Sequence, residues 1–347
     1  MNTTSKVANI DIGTLLLDSR EELPAVTLTY EQVGTKQAPV ILVCHALTGN
    51  HIAVGTHEAP GWWSGLIGNH LSIDTTKFQV ITFNVLGGCD GSTGPLSINP
   101  ITNKPYRSDF PKITVRDIVR AQQIALKQLG IDSLYAVIGG SLGGMQAMEW
   151  GLLYPNMVER LILLAATPYL SDYGIAYNYI AERSIKSDPL WQSGHYDSSN
   201  HLKGLEIARM IGMVTYRSPK LFEERFRREI TDKGYEVTSY LQYQGEKLVK
   251  RFDANSYLYL LDAMNTHDIG RDRGGWENAT TLYRSPVLAI SYEEDLIYEP
   301  TSISVFASLI PHCTYHHIDT RFGHDGFLTE YEKWGNKIAS FLTKRAI

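Results

Sequence analysis

The sequence predicts an α/β fold: a mostly parallel sheet with helices on both faces and an inserted helical lid. Three observations carry that prediction. Short apolar runs recur along the chain, each closed by turn residues. Helical stretches lie between several of them. From about Tyr169 to Met264 the apolar runs stop, and a region rich in Tyr, Arg and Glu takes their place.

The runs "VILVC" (40–44), "QVITFNV" (79–85), "LYAVIGG" (134–140), "RLILLAAT" (160–167), "PVLAIS" (286–291) and "TYHHID" (314–319) read as strands. A strand apolar at every position has both faces buried, as in a parallel sheet covered by helices. "AVTLTYEQVG" (25–34) alternates more and suits an antiparallel edge hairpin with "IDIGTLLLD". The stretch from Thr114 to Gly130 has Val115, Ile118, Val119, Ala125, Leu126 and Leu129 roughly on one face. Thr114 can cap it, Asp117 suits its first turn and Gly130 can end it.

Between Tyr169 and Met264, "GLEIARMIGMVTYRS", "KLFEERFRREI", "SYLQYQGEKLVKRF" and "ANSYLYLLDAM" read as helices, with no buried strand among them. The expected division is a core of residues 1–168 and 265–347 with a helical insertion at 169–264. An insertion between parallel strands projects from their C-terminal edge, where such sheets carry their sites, so it is expected to act as a lid.

Composition narrows the function. The 347 residues are 43% hydrophobic, enough for a large core. Lys plus Arg number 32 against 37 Asp plus Glu, a net charge of −5, with no block of one sign. Neither nucleic acid nor an anionic membrane is expected as a partner. Cys44, Cys89 and Cys313 lack paired spacing, which argues against a disulfide framework and against a metal cluster. The N-terminus has no signal-peptide pattern, and runs such as "LILLAA" are too short to span a bilayer, so a cytoplasmic protein is expected.

"GGSLG" (139–143) matches the G-x-S-x-G pattern, with a predicted strand before it and a predicted helix after it. That is the setting of a nucleophile elbow, in which a strained turn lifts a serine clear of the sheet and small neighbours let the chain segments pass. Ser141 then needs a base, and the base needs an orienting acid, in the chain order serine, acid, histidine. His324 in "TRFGHDGFL" follows the last strand and suits the base; His45 and His267 are rivals, His45 on the wrong side of the serine. Asp295 in "SYEEDLIYEP" follows a strand and precedes Leu296 and Ile297, which would bury it. Glu293 and Glu294 are its neighbours and read as a solvated loop. The backbone N–H groups of Leu142 and Leu47 are the expected oxyanion donors.

The motifs "CHALTGN", "NVLGGCDGSTGPLSINP", "DFPKITVRDIVRAQ", "VIGGSLGGMQAMEW", "ARMIGMVTYRS", "HDIGRDRGG" and "GHDGFL" run across nearly the whole chain. With them the sequence resembles the homoserine O-acetyltransferase family of α/β-hydrolase-fold acyltransferases. The resemblance implies acetyl transfer from acetyl-CoA to the hydroxyl of L-homoserine, early in methionine synthesis, with acetyl-CoA as co-substrate and no tightly bound cofactor. It implies a homodimer joined through lid helices. It also implies that Ser141, Asp295 and His324 form the triad, and that Arg209 and Asp325 bind substrate beside Tyr216. A zwitterionic amino acid suits this set: Arg209 for its carboxylate, Asp325 for its ammonium. Three alternatives stand beside this reading: a succinyl-transferring relative, an esterase using water on the same triad, and a non-catalytic binding protein of the same fold.

Overall fold

The computed structural model describes residues 5–197, 201–232 and 234–343; the other residues of the expected core and insertion lie outside that description. Its central sheet has strands β1 (Lys6–Leu16), β2 (Glu22–Gly34), β3 (Val40–Cys44), β4 (Gln79–Phe83), β5 (Ala136–Gly140), β6 (Leu161–Leu164), β7 (Val287–Tyr292) and β8 (Cys313–Ile318). They lie in the order β1-β2-β4-β3-β5-β6-β7-β8. β1 and β2 form the antiparallel edge hairpin, β2 runs antiparallel to β4, and the remaining pairs are parallel.

Several strands are shorter than the apolar runs that predicted them. β4 stops at Phe83, β5 starts at Ala136 and β6 spans Leu161–Leu164. Val85, Leu134, Ala165 and Ala166 beyond them are still buried, as loop residues. Burial, which an apolar run reports, outlasts the ladder.

The helices are α1 (Val115–Gln128), α2 (Leu142–Leu153), α3 (Asp172–Lys186), α4 (Lys203–Tyr216), α5 (Pro219–Phe226), α6 (Glu236–Val249), α7 (Ala254–Asn265), α8 (Trp276–Thr280), α9 (Pro300–Leu309) and α10 (Tyr331–Thr343). Alternate side chains of the central strands go to opposite faces. Leu42, Val137 and Leu163 pack with Ile118 and Leu126 of α1 and Met145 of α2. Ile41, Ile138 and Ile162 pack with Trp63 and with Trp334 and Ile338 of α10. α1 starts as predicted: Thr114 accepts from Asp117 N–H, and the Asp117 carboxylate accepts from Thr114 N–H, a reciprocal capping box.

The segment between Tyr169 and Asp268 carries α3 to α7. Its two ends are tied together, with Tyr169 bridged to Asp268 and Ile269 N–H donating to Pro168 O at 2.9 Å. Much of the insertion shares the core of one sheet face: Ala208 of α4, Leu248 of α6 and Leu260 of α7 belong to the same cluster as Leu42. Met213, Phe226 and Tyr240 form a small core of their own. The helix expected over "KLFEERFRREI" is cut short. α5 buries Leu221 and Phe226, then Arg227 and Arg228 turn to φ 46° and 58°. Ile230–Thr231 pairs with Gly234–Tyr235 in an exposed hairpin. Residues 227–230 are all exposed, and helix propensity alone does not hold them.

"HDIGRDRGG" fastens the return from the insertion. Arg273 pairs with Glu149 of α2 at 2.7 Å, and Arg116 of α1 reaches the same carboxylate at 3.3 Å. Arg271 pairs with Asp18. The buried Glu149 charge is thus held between two guanidiniums, without which it would carry a large desolvation cost. Among the described residues, no helix is long and apolar enough to cross a membrane.

Candidate active site

Ser141 occupies the turn between β5 and α2, at φ 57° and ψ −124°. This is a strained conformation for a residue with a side chain, of the kind found where structure around it over-determines the backbone. Two glycines make the turn possible. A Cβ on Gly139 would sit 2.2 Å from Gly143 O, and one on Gly143 would sit 2.1 Å from Cys44 O. Ser141 N–H donates to Leu164 O at 3.1 Å, which ties the elbow to β6. Leu142 opens α2, so its N–H has no acceptor within the helix. Leu47, in the loop after β3, lines the same cavity as Ser141.

Asp295 lies just past β7, and its carboxylate is fully committed. Oδ1 accepts from the N–H groups of Ile297 and Tyr298, both at 2.9 Å, and Oδ2 faces His324 Nδ1 at 2.8 Å. Both residues are buried. Leu296, expected to help bury the aspartate, is instead exposed. Ile297 is half-buried, and the buried Tyr298 ring is stacked on His324 with centroids 5.1 Å apart. Phe327 and Tyr216 close the other sides, at 5.3 Å and 5.7 Å. Burial disfavours a charge on His324. The charge and hydrogen bond of Asp295, helped by the Asp325 carboxylate, outweigh it and hold the imidazole above its ordinary value.

The rivals have other places. His45 Nε2 accepts from Val85 N–H at 3.0 Å, so its Nδ1–H donates to Ala46 O at 2.8 Å. Burial holds its pKa down to about 4, and the neutral ring braces the loop that carries Leu47. His267 is likewise buried and lowered to about 4. Glu293 pairs with His317 at the sheet edge, and Glu294 is exposed.

Arg209 and Tyr216 of α4 and Asp325 beside His324 line one cavity of about 310 Å³ together with Ser141 and His324. The Arg209 guanidinium lies 5.9 Å from the Tyr216 ring centre, and Tyr216 shares a hydrogen bond with Tyr257. Burial raises the Tyr216 pKa, so its hydroxyl stays protonated. Two neighbours escaped the reading of the sequence. Arg217, the residue after α4, donates from Nε to Asp325 Oδ2 at 3.1 Å. Tyr298 is fully buried and lies close enough to Ser141 for the serine hydroxyl to favour its ionised form; burial, the stronger influence, keeps the phenol protonated. Position directly after Tyr216 was the one available signal for Arg217. For Tyr298 there was only its nearness to Asp295.

The sheet order, the elbow and the acid and histidine placed after late strands define the class. The model for the alpha/beta hydrolase fold matches residues 39–331. The homoserine O-acetyltransferase of Moorella thermoacetica is 42% identical, over 94% of this chain and 93% of its own. The crystal structure of homoserine O-acetyltransferase from Bacillus anthracis is 27% identical and superposes with a TM-score of 0.94 over 99% of both chains. Esterase E22, 27% identical, superposes at 0.91 over 98% of this chain and all of its own. The chain belongs to the homoserine O-acetyltransferase family of α/β-hydrolase-fold proteins.

Proposed function

We propose that this chain moves an acetyl group from acetyl-CoA to the hydroxyl of L-homoserine, a step of methionine biosynthesis, through an acyl-Ser141 intermediate. The observation that carries the reading is that Ser141 and His324, the latter held by Asp295, line one cavity with Arg209 and Asp325. Relatives with that activity in their names support the choice of substrates.

In this reading Ser141 Oγ attacks the thioester carbonyl while His324 takes its proton. The oxyanion meets the N–H groups of Leu47 and Leu142. Collapse breaks the C–S bond, and the thiol leaves with the proton from His324. Homoserine then enters with its carboxylate on Arg209 and its ammonium on Asp325. His324 takes the hydroxyl proton, the oxygen attacks the acyl carbon, and Ser141 recovers a proton as the product ester departs. Asp295 holds the imidazole with Nδ1–H toward itself and Nε2 free for these transfers.

The test compares acetyl-CoA with succinyl-CoA, each with L-homoserine and L-serine as acceptors. Sustained thiol release that needs acetyl-CoA and homoserine together is the expected result. Multiple-turnover thiol release without an acceptor would instead support an esterase, the reading favoured by the likeness to esterase E22. Preference for succinyl-CoA would move the assignment to a succinyltransferase.

A homodimer through the insertion and a cytoplasmic location belong to the same proposal. Exposed Tyr179 and Ile180 of α3, Ile207 and Val214 of α4 and Tyr243 of α6 offer an apolar surface to a second copy. Ile180→Glu should reduce a dimer to monomer in sedimentation.

A further inference from the structure

We propose that Arg217 is the positioning residue that aims Asp325 at the acceptor's ammonium group. The inference rests on the acyl-transfer reading above and deepens it, because it says how one half of the acceptor site is held in place.

Asp325 sits in a short 3₁₀ turn, Gly323–Leu328, directly after His324. A carboxylate on such a turn has free rotation unless something grips it. The Arg217 Nε–H···Oδ2 bond at 3.1 Å is that grip. No described residue donates to Oδ1, and Asp325 lines the cavity. One oxygen is therefore occupied by the protein and the other is available to a ligand cation. A charge-assisted bond from a planar guanidinium sets direction as well as distance.

Arg217 is itself fixed. Its guanidinium lies 5.7 Å from the Tyr240 ring centre, and Tyr240 packs with Met213 and Phe226 in the small core of the insertion. The next residue, Ser218, donates from its hydroxyl to Arg321 O, four residues before Asp325. Ser218 also caps α5, accepting from Leu221 N–H at 3.1 Å. The junction of α4 and α5 is thus attached to the histidine loop at two points, one at the backbone and one at the carboxylate. In this arrangement the small core has a purpose beyond stability: it carries the guanidinium that orients Asp325.

The charges make the role specific. Arg217 and Asp325 cancel as a pair, while Arg209 has no carboxylate partner among the described residues. The acceptor's carboxylate is drawn by the Arg209 charge. Its ammonium meets a carboxylate already neutralised, so that contact depends on geometry more than on net charge. Losing Arg217 should therefore cost ammonium recognition and leave carboxylate recognition alone.

The experiment measures acetyl transfer to L-homoserine by wild type, Arg217→Met and Arg217→Lys. 4-Hydroxybutanoate, which lacks the ammonium, is run alongside as acceptor or competitive inhibitor. Labelling of Ser141 by a fluorophosphonate reports on the rest of the site in each variant. Arg217→Met should raise the KM for homoserine about 10- to 100-fold, the worth of one charge-assisted hydrogen bond. Its kcat should change far less, and labelling and binding of 4-hydroxybutanoate should stay as in wild type. Arg217→Lys should recover part of the loss, and it carries the test alone if the methionine variant does not fold. An unchanged KM for homoserine, or an equal loss for both acceptors, overturns the proposal while the acyl-transfer reading stands. A wild type that does not acylate homoserine overturns both.

Discussion

Strands β3 to β7 bury every one of their residues, whereas α3 buries three of 15, Gly174, Ala181 and Ile185, and α6 buries Tyr240, Gly245 and Leu248 of its 14. The two regions contribute different chemistry. The sheet edge supplies Ser141, His324 and Asp295, held by backbone strain, steric fit and buried hydrogen bonds. The insertion supplies Arg209, Tyr216 and Arg217, held by a few packed aromatics and cation–ring contacts. In the proposed reading, the bond-making Ser141 and the Asp295 that holds His324 sit just past fully buried strands, and the recognition groups on and just after α4, which buries seven of its 14 residues.

The largest test of that division is Ser141→Ala, which should lower acyl transfer about 10⁶-fold, as loss of a triad nucleophile does. Near-normal turnover would remove the sheet edge from the chemistry. Asp295→Asn should follow at about 10⁴-fold. It also carries a pH signature. His324 must be neutral to accept a proton, and its pKa is raised, so kcat/KM in wild type should climb with pH through a midpoint above 6.5. Without the aspartate charge, burial acts with less opposition and the midpoint should move to lower pH. A pH–rate profile whose midpoint stays put would break the pairing.

Arg209→Met comes next. It should raise the KM for homoserine about 100-fold or less and leave Ser141 labelling by a fluorophosphonate unchanged. Slower labelling would blur the line between the two regions. The smallest effect on global stability should come from Phe226→Ala in the small core. It should loosen amide protection in α5 and α6 and weaken homoserine binding through Tyr240 and Arg217, with little change in melting temperature. Leu42→Ala in the sheet should lower the melting temperature clearly, as large-to-small changes in a close-packed core cost about 2–5 kcal/mol. Equal shifts in the two variants would mean that sheet and insertion unfold as one unit.

The sheet was legible because its signal is local and repeated. "VILVC" and "AVIGG" report burial on both faces, and Thr114 with Asp117 spells out a cap. The elbow was legible for the same reason, since Gly139, Ser141 and Gly143 act on one another across a single turn. Chain order and placement after late strands pointed to His324 and Asp295, and the structure brings the two within hydrogen-bond distance. The end of α5 was misread because "EERFRRE" has helical composition but no apolar partner past Phe226. Leu296 was misjudged because neighbouring apolar residues do not reveal which one turns inward.

By itself, then, the sequence determined the alternation of strands and helices, the strained serine turn, and the chain order of Ser141, Asp295 and His324. All of these depend on spacings of a few residues or on chain order. Only the tertiary structure decided which groups hold them. Asp295 takes its hydrogen bonds from Ile297 and Tyr298, the imidazole is stacked on Tyr298, and Arg217 meets Asp325 across 108 residues of chain. No local pattern encodes that last pairing, because it forms only when the packing of α4 against the histidine loop brings the two side chains within reach.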